Sequence, residues 1–154
     1  MNHLLPVCHG SDVPLVVAEH WRLVEPLGLD GVHLAIGRTP VRDVRKALGA
    51  DRIVGAFAGA SRHKGLTLAE AGADYVAFGP AGETGLLGDE ARAADDLFEW
   101  WSQMIEVPSV AEGGLAEADA LRLSALADFL VPDRRLWDDR DPVARIAAFA
   151  TTLR

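Results

Sequence analysis

The sequence contains little of what several classes of protein require. Its 154 residues include one cysteine, Cys8, which excludes an internal disulfide framework and fits a reducing compartment. Its apolar runs all fall short of the roughly 20 residues that a transmembrane helix needs. Acidic residues outnumber basic ones, and the net charge of −8 argues against nucleic acid or a membrane surface as a partner. No basic segment followed by an apolar one opens the chain, so we predict no secretory signal and a cytoplasmic location.

What is present is typical of a globular protein that buries a core. Hydrophobic residues make up 49% of the chain and charged residues 25%, both ordinary values. No linker, low-complexity tract or change of composition divides the sequence. We therefore expect one domain over residues 1–154.

Short apolar runs alternate with helical patterns along the whole chain. The runs are apolar on both faces, which favours a parallel sheet covered by helices on each side. The predicted strands are Leu15–Ala18, Gly31–Ala35, Arg52–Phe57, Tyr75–Gly79, Ser109–Glu112 and Phe129–Val131. The predicted helices are His20–Leu27, Val41–Leu48, Lys64–Ala71, Asp89–Met104, Glu117–Ala125 and Pro142–Leu153.

Six strand–helix units of this spacing indicate a right-handed βα repeat. The segment Ala71–Pro80 is typical of one repeat of a βα barrel, with a helix end, a glycine stop at Gly72, a short strand and a Gly-Pro stop. A partial helix at Asn2–His9 precedes the six units, whereas a closed (β/α)8 barrel needs eight. The sequence therefore leaves two alternatives, an open sheet or a barrel that lacks two units.

Several segments resemble the thiamine phosphate synthase and thiazole tautomerase family, in the same order and at matching spacing. These segments are Trp21–Leu23, Asp30–Leu34, Asp51–Gly55, Ala71–Pro80 and Val107–Leu115. The resemblance implies an α/β fold of the (β/α)8 TIM-barrel type, here incomplete, with about six units that correspond to strands three to eight. It also implies thiamine biosynthesis, in which a transferase joins a pyrimidine pyrophosphate to a thiazole phosphate while Mg²⁺ holds the pyrophosphate.

The same resemblance locates a metal site, and the chain departs from it. Glu19 occupies the position of a metal-binding Asp after the first predicted strand, and is the one candidate Mg²⁺ ligand. Arg38 replaces the second expected Asp, and a cation there repels Mg²⁺ and attracts phosphate. Arg38 could pair with Glu19, bind an anion or lie in solvent. Phe57 replaces a substrate-binding serine segment, and no catalytic residue is assigned.

A phosphate site is the better preserved part of the resemblance. Gly113 and Gly114 match a family glycine pair that lets the backbone approach phosphate. Arg134 stands where the family has a serine, and Thr84 keeps a phosphate-binding position in a loop that has lost the family's lysine. The expected ligand is a small phosphorylated molecule.

Three functions remain open at this point. The chain could be an active synthase, or a non-catalytic phosphate-binding or regulatory paralogue. It could also be a truncated barrel that needs a partner chain. An open six-stranded arc leaves two strand edges unpaired, so we also expect a homodimer.

Overall fold

A computed structural model of the chain describes residues 4–82 and 91–153. Within these ranges six parallel strands form one sheet in the order in which they occur along the chain. The strands are β1 (Val16–Ala18), β2 (Gly31–Leu34), β3 (Ile53–Phe57), β4 (Tyr75–Phe78), β5 (Ser109–Leu115) and β6 (Phe129–Pro132). The helices are α1 (Leu4–Gly10), α2 (Val24–Leu27), α3 (Val41–Leu48), α4 (Arg62–Glu70), α5 (Asp95–Met104), α6 (Glu117–Leu123) and α7 (Pro142–Thr152).

This arrangement confirms the predicted fold class. Sequential parallel strands joined by helical crossovers are the repeat of a TIM barrel, and the six strands curl as a half-barrel. None of the helices in the described part of the chain is long and apolar enough to cross a membrane.

Three predicted elements differ from the structure by more than a shift of one or two residues at their ends. The helix predicted over His20–Leu27 is a 3-10 turn at Trp21–Leu23 followed by α2. The start predicted for α5, Asp89, lies outside the described residues, and α5 begins at Asp95. The strand predicted to end at Glu112 continues to Leu115, because a bulge at two glycines lets β5 resume its pairing with β6.

The main core lies between the outer face of the sheet and the helices. Val32, Val54 and Val76 are fully buried on this face, and Phe78 packs edge-on against Trp101 of α5, with ring centroids 4.8 Å apart. The indole Nε1 of Trp101 donates to the carbonyl oxygen of Val107 at 2.7 Å. The indole therefore fills the core without leaving its donor unpaired.

Aspartates at the starts of alternate strands fix the sheet at its amino-terminal edge. Asp30, immediately before β2, accepts from the backbone N–H of Leu15 at 2.7 Å. Asp74, before β4, accepts from Val54 N–H at 2.7 Å, and Asp128, before β6, accepts from Ser109 N–H at 2.8 Å. Each carboxylate thus satisfies a donor at the start of the preceding strand, and so ties the strands in pairs.

Side chains alternate across the sheet, so residues between the core positions point to its concave face. His33 lies between the buried Val32 and Leu34, and is paired in register with Gly55 of β3. Gly55 is in turn paired with Tyr75 of β4. His33 and Tyr75 therefore face the hollow of the half-barrel from strands on either side of β3.

Candidate ligand-binding site at the carboxyl ends of the strands

Parallel strands bring their carboxyl ends to one edge, and the predicted site residues follow those ends. Glu19 comes after β1, Arg38 lies in the loop after β2, and Arg134 begins a 3-10 turn after β6. Gly113 and Gly114 lie within the last part of β5. The fourth predicted phosphate contact, Thr84, lies outside the described residues.

Glu19 is held against the end of β2. Its backbone adopts a φ of 62°, and its N–H donates to the carbonyl oxygen of His33 at 2.8 Å. Its carboxylate accepts a hydrogen bond from the backbone N–H of Ala35. These two hydrogen bonds join the residue after β1 to the carboxyl end of β2.

The side chain of Arg38 is exposed. Within the described ranges no ion pair joins it to Glu19. Arg38 instead lines a cleft of about 550 Å³ between its own loop and α4, together with His63 and Lys64. The floor of this cleft is mainly apolar, with Leu34, Ala56 and Leu68 among its residues. Its cationic rim contrasts with the overall negative charge of the chain.

The glycine pair forms the bulge in β5. Gly113 and Gly114 have φ values of 86° and 67°, a region that residues with a Cβ rarely adopt. The loop after β4 packs on them, because Gly82 N–H donates to the carbonyl oxygen of Gly113 at 2.9 Å. A Cβ on Gly82 would lie 1.8 Å from the carbonyl oxygen of Gly114. This close approach requires glycine in both the loop and the bulge.

Arginines and carboxylates surround the ends of β5 and β6. Arg134 is 85% exposed, and its Nε lies 3.9 Å from Asp138 Oδ2. Arg135 binds the buried Asp133 through both Nε and Nη2, at 3.0 Å each, and this contact raises the pKa of Arg135. Arg135 and Arg145 line a cleft of about 310 Å³ beside Leu115. Sequence reasoning missed Arg135, although the aspartate two positions before it was a signal for a local ion pair.

A further polar cluster occupies the concave face below this edge. His33 Nδ1 lies 2.9 Å from Tyr75 Oη, and His33 Nε2 lies 3.7 Å from Glu112 Oε2. Burial lowers the pKa of His33, with the charge of Glu19 acting in the opposite direction. Burial also raises the pKa of Glu112 to about 7, and that of Tyr75 to about 12 with a smaller contribution from the charge of Glu112. The Glu112 carboxyl is therefore only partly ionised near neutral pH.

The sequence profile of the family described as thiamine monophosphate synthase matches residues 1–128. The chain belongs to this family. It is 38% identical to the thiamine-phosphate synthase of Rhodospirillum centenum over 98% of its own length and 74% of that protein. It is also 38% identical to the thiamine-phosphate synthase of Erythrobacter litoralis, over 96% of its length and 70% of that protein.

Solved structures agree with this family in fold. The thiamine phosphate pyrophosphorylase of Pyrococcus furiosus superposes with a TM-score of 0.84, at 18% identity, over 97% of this chain and 72% of that one. An inosine 5'-monophosphate dehydrogenase from Legionella pneumophila gives a TM-score of 0.62 at 19% identity, over 76% of this chain and 42% of that one. At such identities the likeness concerns the fold alone.

Thiamine-phosphate synthases are generally Mg²⁺-dependent. Mg²⁺ prefers carboxylate oxygens in octahedral geometry. The described residues contain no group of three or more His, Cys, Asp or Glu side chains placed to hold a metal ion. Glu19 is bonded to Ala35, and Arg38 brings a positive charge to the next strand end. These residues do not fit a Mg²⁺ site of the kind that the resemblance implies.

Proposed function

We propose that this chain is a thiamine-phosphate synthase-like protein that binds small phosphorylated ligands of thiamine biosynthesis, with a degenerate metal and pyrophosphate site. One observation carries the proposal. The bulge at Gly113–Gly114 lies at the carboxyl edge of the sheet, where barrels of this type commonly bind phosphate. Where the resemblance places two metal-binding carboxylates, this chain has the carboxylate of Glu19, which is hydrogen-bonded to Ala35, and the cationic Arg38. We expect the protein to act in the cytoplasm.

Phosphate binding is proposed at Gly113, Gly114 and Arg134, with Thr84 as a fourth contact inferred from the resemblance. The exposed side chain of Arg134 forms a long ion pair, with Nε 3.9 Å from Asp138 Oδ2. Such a pair contributes little free energy, so the side chain can turn toward a ligand. Glu117 and Asp133 oppose an anion at this end of the sheet, since both line the adjacent cleft. Arg135 and Arg145 line the same cleft, and Arg134 adds a further positive charge at this end of the sheet.

The proposal is tested first by turnover. Purified protein is mixed with Mg²⁺ and both phosphorylated precursors, and thiamine phosphate is measured by fluorescence after oxidation. We expect no product above the protein-free background, because a site without a carboxylate pair does not hold the Mg²⁺ that would stabilise the charge on the leaving pyrophosphate. Clear turnover would show that the site is not degenerate.

Phosphate binding is measured separately by amide NMR during titration with inorganic phosphate. The largest shifts are expected at Gly113 and Gly114. Arg134→Ala should weaken binding about threefold, as expected for an exposed ion pair, whereas Arg38→Ala, an exposed arginine at another strand end, should not. Unmoved glycine amides would refute the phosphate site, and equal effects of the two variants would refute the role of Arg134.

A second candidate function is a non-catalytic phosphate-binding or regulatory paralogue. The cationic cleft of Arg38, His63 and Lys64 favours it, because this cleft provides positive charge where the family reaction needs carboxylates. A truncated barrel completed by a partner chain is the remaining alternative. The turnover assay repeated with cell extract distinguishes it, since a missing partner would give more product than the same extract forms without this protein.

A further inference from the structure

The cleft between the loop after β2 and α4, which we call the α4 cleft, lies on the helical side of the sheet. Its floor includes Leu34, Ala56 and Leu68, and its rim carries Arg38, His63 and Lys64. Leu34 and Ala56 are paired in register and belong to the main core, whereas their neighbours His33 and Gly55 face the hollow by alternation. The α4 cleft therefore lies on the opposite side of the sheet from the hollow, and the proposed phosphate site does not use it.

The ionisable side chains that line the α4 cleft are all basic. Among the described residues no Asp or Glu lines it, although acidic residues outnumber basic ones in the chain. Within the described ranges no ion pair engages Arg38, His63 or Lys64, and all three side chains are exposed. The rim is thus a local concentration of positive charge that the described part of the chain does not neutralise.

Two of these basic side chains lie in the first turn of α4, where a helix favours negative charge. Arg62, in the same turn, is turned toward α5, since its Nη2 lies 2.9 Å from Asp96 Oδ2 and its guanidinium carbon 5.1 Å from the ring centroid of Trp100. The first turn of α4 contains no acidic residue. An anion bound beside His63 and Lys64 would therefore supply the charge that this helix start lacks.

The apolar floor of the α4 cleft sets a second requirement on a ligand. Leu34 and Ala56 are 2% and 1% exposed, and the partly buried Leu68 packs against the same core. The cleft has a volume of about 550 Å³, which is within the range of small-molecule pockets. Covering such a floor with an apolar group releases water from it. A ligand that suits both parts of the cleft has an apolar body and a negatively charged end.

We propose that the α4 cleft binds a small amphipathic carboxylate, with its charged end at Arg38, His63 and Lys64 and its apolar body on the floor. A planar carboxylate matches the N–H donors on one edge of an arginine guanidinium. A phosphate dianion suits the cleft less well, because its dehydration beside an apolar surface costs more free energy. This inference goes beyond the proposed function and does not depend on it.

The experiment measures binding of octanoate to the full chain by NMR, at concentrations below micelle formation. The chain has two lysines, Lys46 and Lys64, so isotope labelling of lysine at Cε gives two signals. Lys46 is exposed on α3 and does not line the cleft, which makes it an internal control. We expect octanoate to shift the Lys64 signal and to leave the Lys46 signal unmoved.

Matched ligands separate the contribution of the charge from that of the apolar body. Octan-1-ol has the same chain without the charge, and should bind about tenfold more weakly, the effect of about two exposed ion pairs. Butyrate keeps the charge and should also bind more weakly, since each buried CH₂ contributes up to about fourfold in affinity. Inorganic phosphate at the same concentration should not displace octanoate.

Variants test the same contacts, with affinity measured on the octanoate signals. Lys64→Gln and Arg38→Ala should each weaken binding about threefold. Lys46→Gln and Arg134→Ala are the matched controls and should not, because both residues are exposed outside the cleft. Thr67→Phe places a ring in the cleft from an exposed position of α4. It should prevent octanoate binding without changing the helix content measured by circular dichroism.

Equal affinity for octanoate and octan-1-ol would overturn the inference, because the basic rim would then not recognise the ligand. Equal shifts of the two lysine signals would also overturn it, as would unchanged affinity in folded Lys64→Gln and Arg38→Ala. Displacement of octanoate by inorganic phosphate would refute the need for an apolar body and assign the cleft to the second candidate function. The amides of Gly113 and Gly114 report the proposed phosphate site separately, so failure of one proposal can be told from failure of the other.

Discussion

Burial of the Glu112 carboxyl couples its protonation to the stability of the fold. Its pKa is raised to about 7 from an ordinary 4.5 by loss of hydration. Between these two pH values the native state binds a proton that the unfolded state has released. The free energy of unfolding therefore falls as pH rises through this window, and levels off above pH 7.

We predict that Glu112→Gln removes this pH dependence. The stability of the wild type, measured relative to the variant, should fall on the order of 3 kcal/mol between about pH 4.5 and pH 8. His33 acts in the opposite direction, because its lowered pKa costs stability as pH falls below its ordinary value of 6.5. Since both proteins contain His33, urea titrations of the two at each pH isolate the Glu112 contribution.

A difference between the two proteins that stays constant over pH 4.5–8 would contradict the prediction. It would mean that the carboxyl is hydrated in the native state. Glu106→Gln, at an exposed position, serves as the control and should follow the wild type throughout.

At the scale of the elements, aspartates before alternate strands hold the sheet in register. Ser109 is fully buried, and both its backbone N–H and its hydroxyl donate to Asp128. Asp74 binds Arg45 as well as Val54 N–H, so it also links the end of α3 to the sheet. Removing such an acceptor leaves a donor that water reaches poorly.

We predict that Asp128→Ala destabilises the protein by about 1–3 kcal/mol, the cost of an unsatisfied buried donor. Asp128→Asn should cost less, because its side-chain carbonyl still accepts from Ser109 N–H. Asp51→Ala, at an exposed position, is the control and should change stability by less than about 0.5 kcal/mol. Denaturant unfolding checks all three, and equal losses for Ala and Asn would show that charge matters more than the hydrogen bond.

The same elements show how far sequence reasoning reaches. The six strands and the helix capped at Asp141, whose carboxylate accepts from Ala144 N–H at 3.0 Å, follow from local patterns. The His33–Tyr75 contact does not, because it depends on the register across β3 and on a missing side chain at Gly55. The bulge that extends β5 was missed for a related reason, since a glycine pair equally well ends a strand.

The candidate site was predicted only in part, because its contacts also depend on backbone geometry and on the arrangement of neighbouring strands. Glu19 was correctly expected at a strand end, but its bond to Ala35 depends on a positive φ that a glutamate rarely adopts. The phosphate contacts at Gly113, Gly114 and Arg134 stay predictions. Glu112 is predicted only as the end of a strand, and its proximity to His33 depends on the curvature of the sheet.

At the scale of the whole molecule, the described sheet ends at β1 and β6, which each pair with one neighbour. Exposed apolar side chains lie on the second of these edges. Phe129 is 60% exposed and Val131 44%, while Leu130 between them packs against both hydrophobic clusters. By alternation Phe129 and Val131 face the hollow of the half-barrel, beside unpaired backbone groups.

We predict that two copies associate through this edge, because an apolar strand with free backbone groups gains both burial and hydrogen bonds from pairing. Sedimentation velocity at micromolar concentration should give a dimer for the wild type, and a monomer for Phe129→Lys combined with Val131→Lys. Leu121→Lys, which adds the same charge at an exposed apolar position of α6, should remain dimeric. A monodisperse wild-type monomer would contradict the prediction, and dissociation of the Leu121 variant would place the interface on the helical side instead.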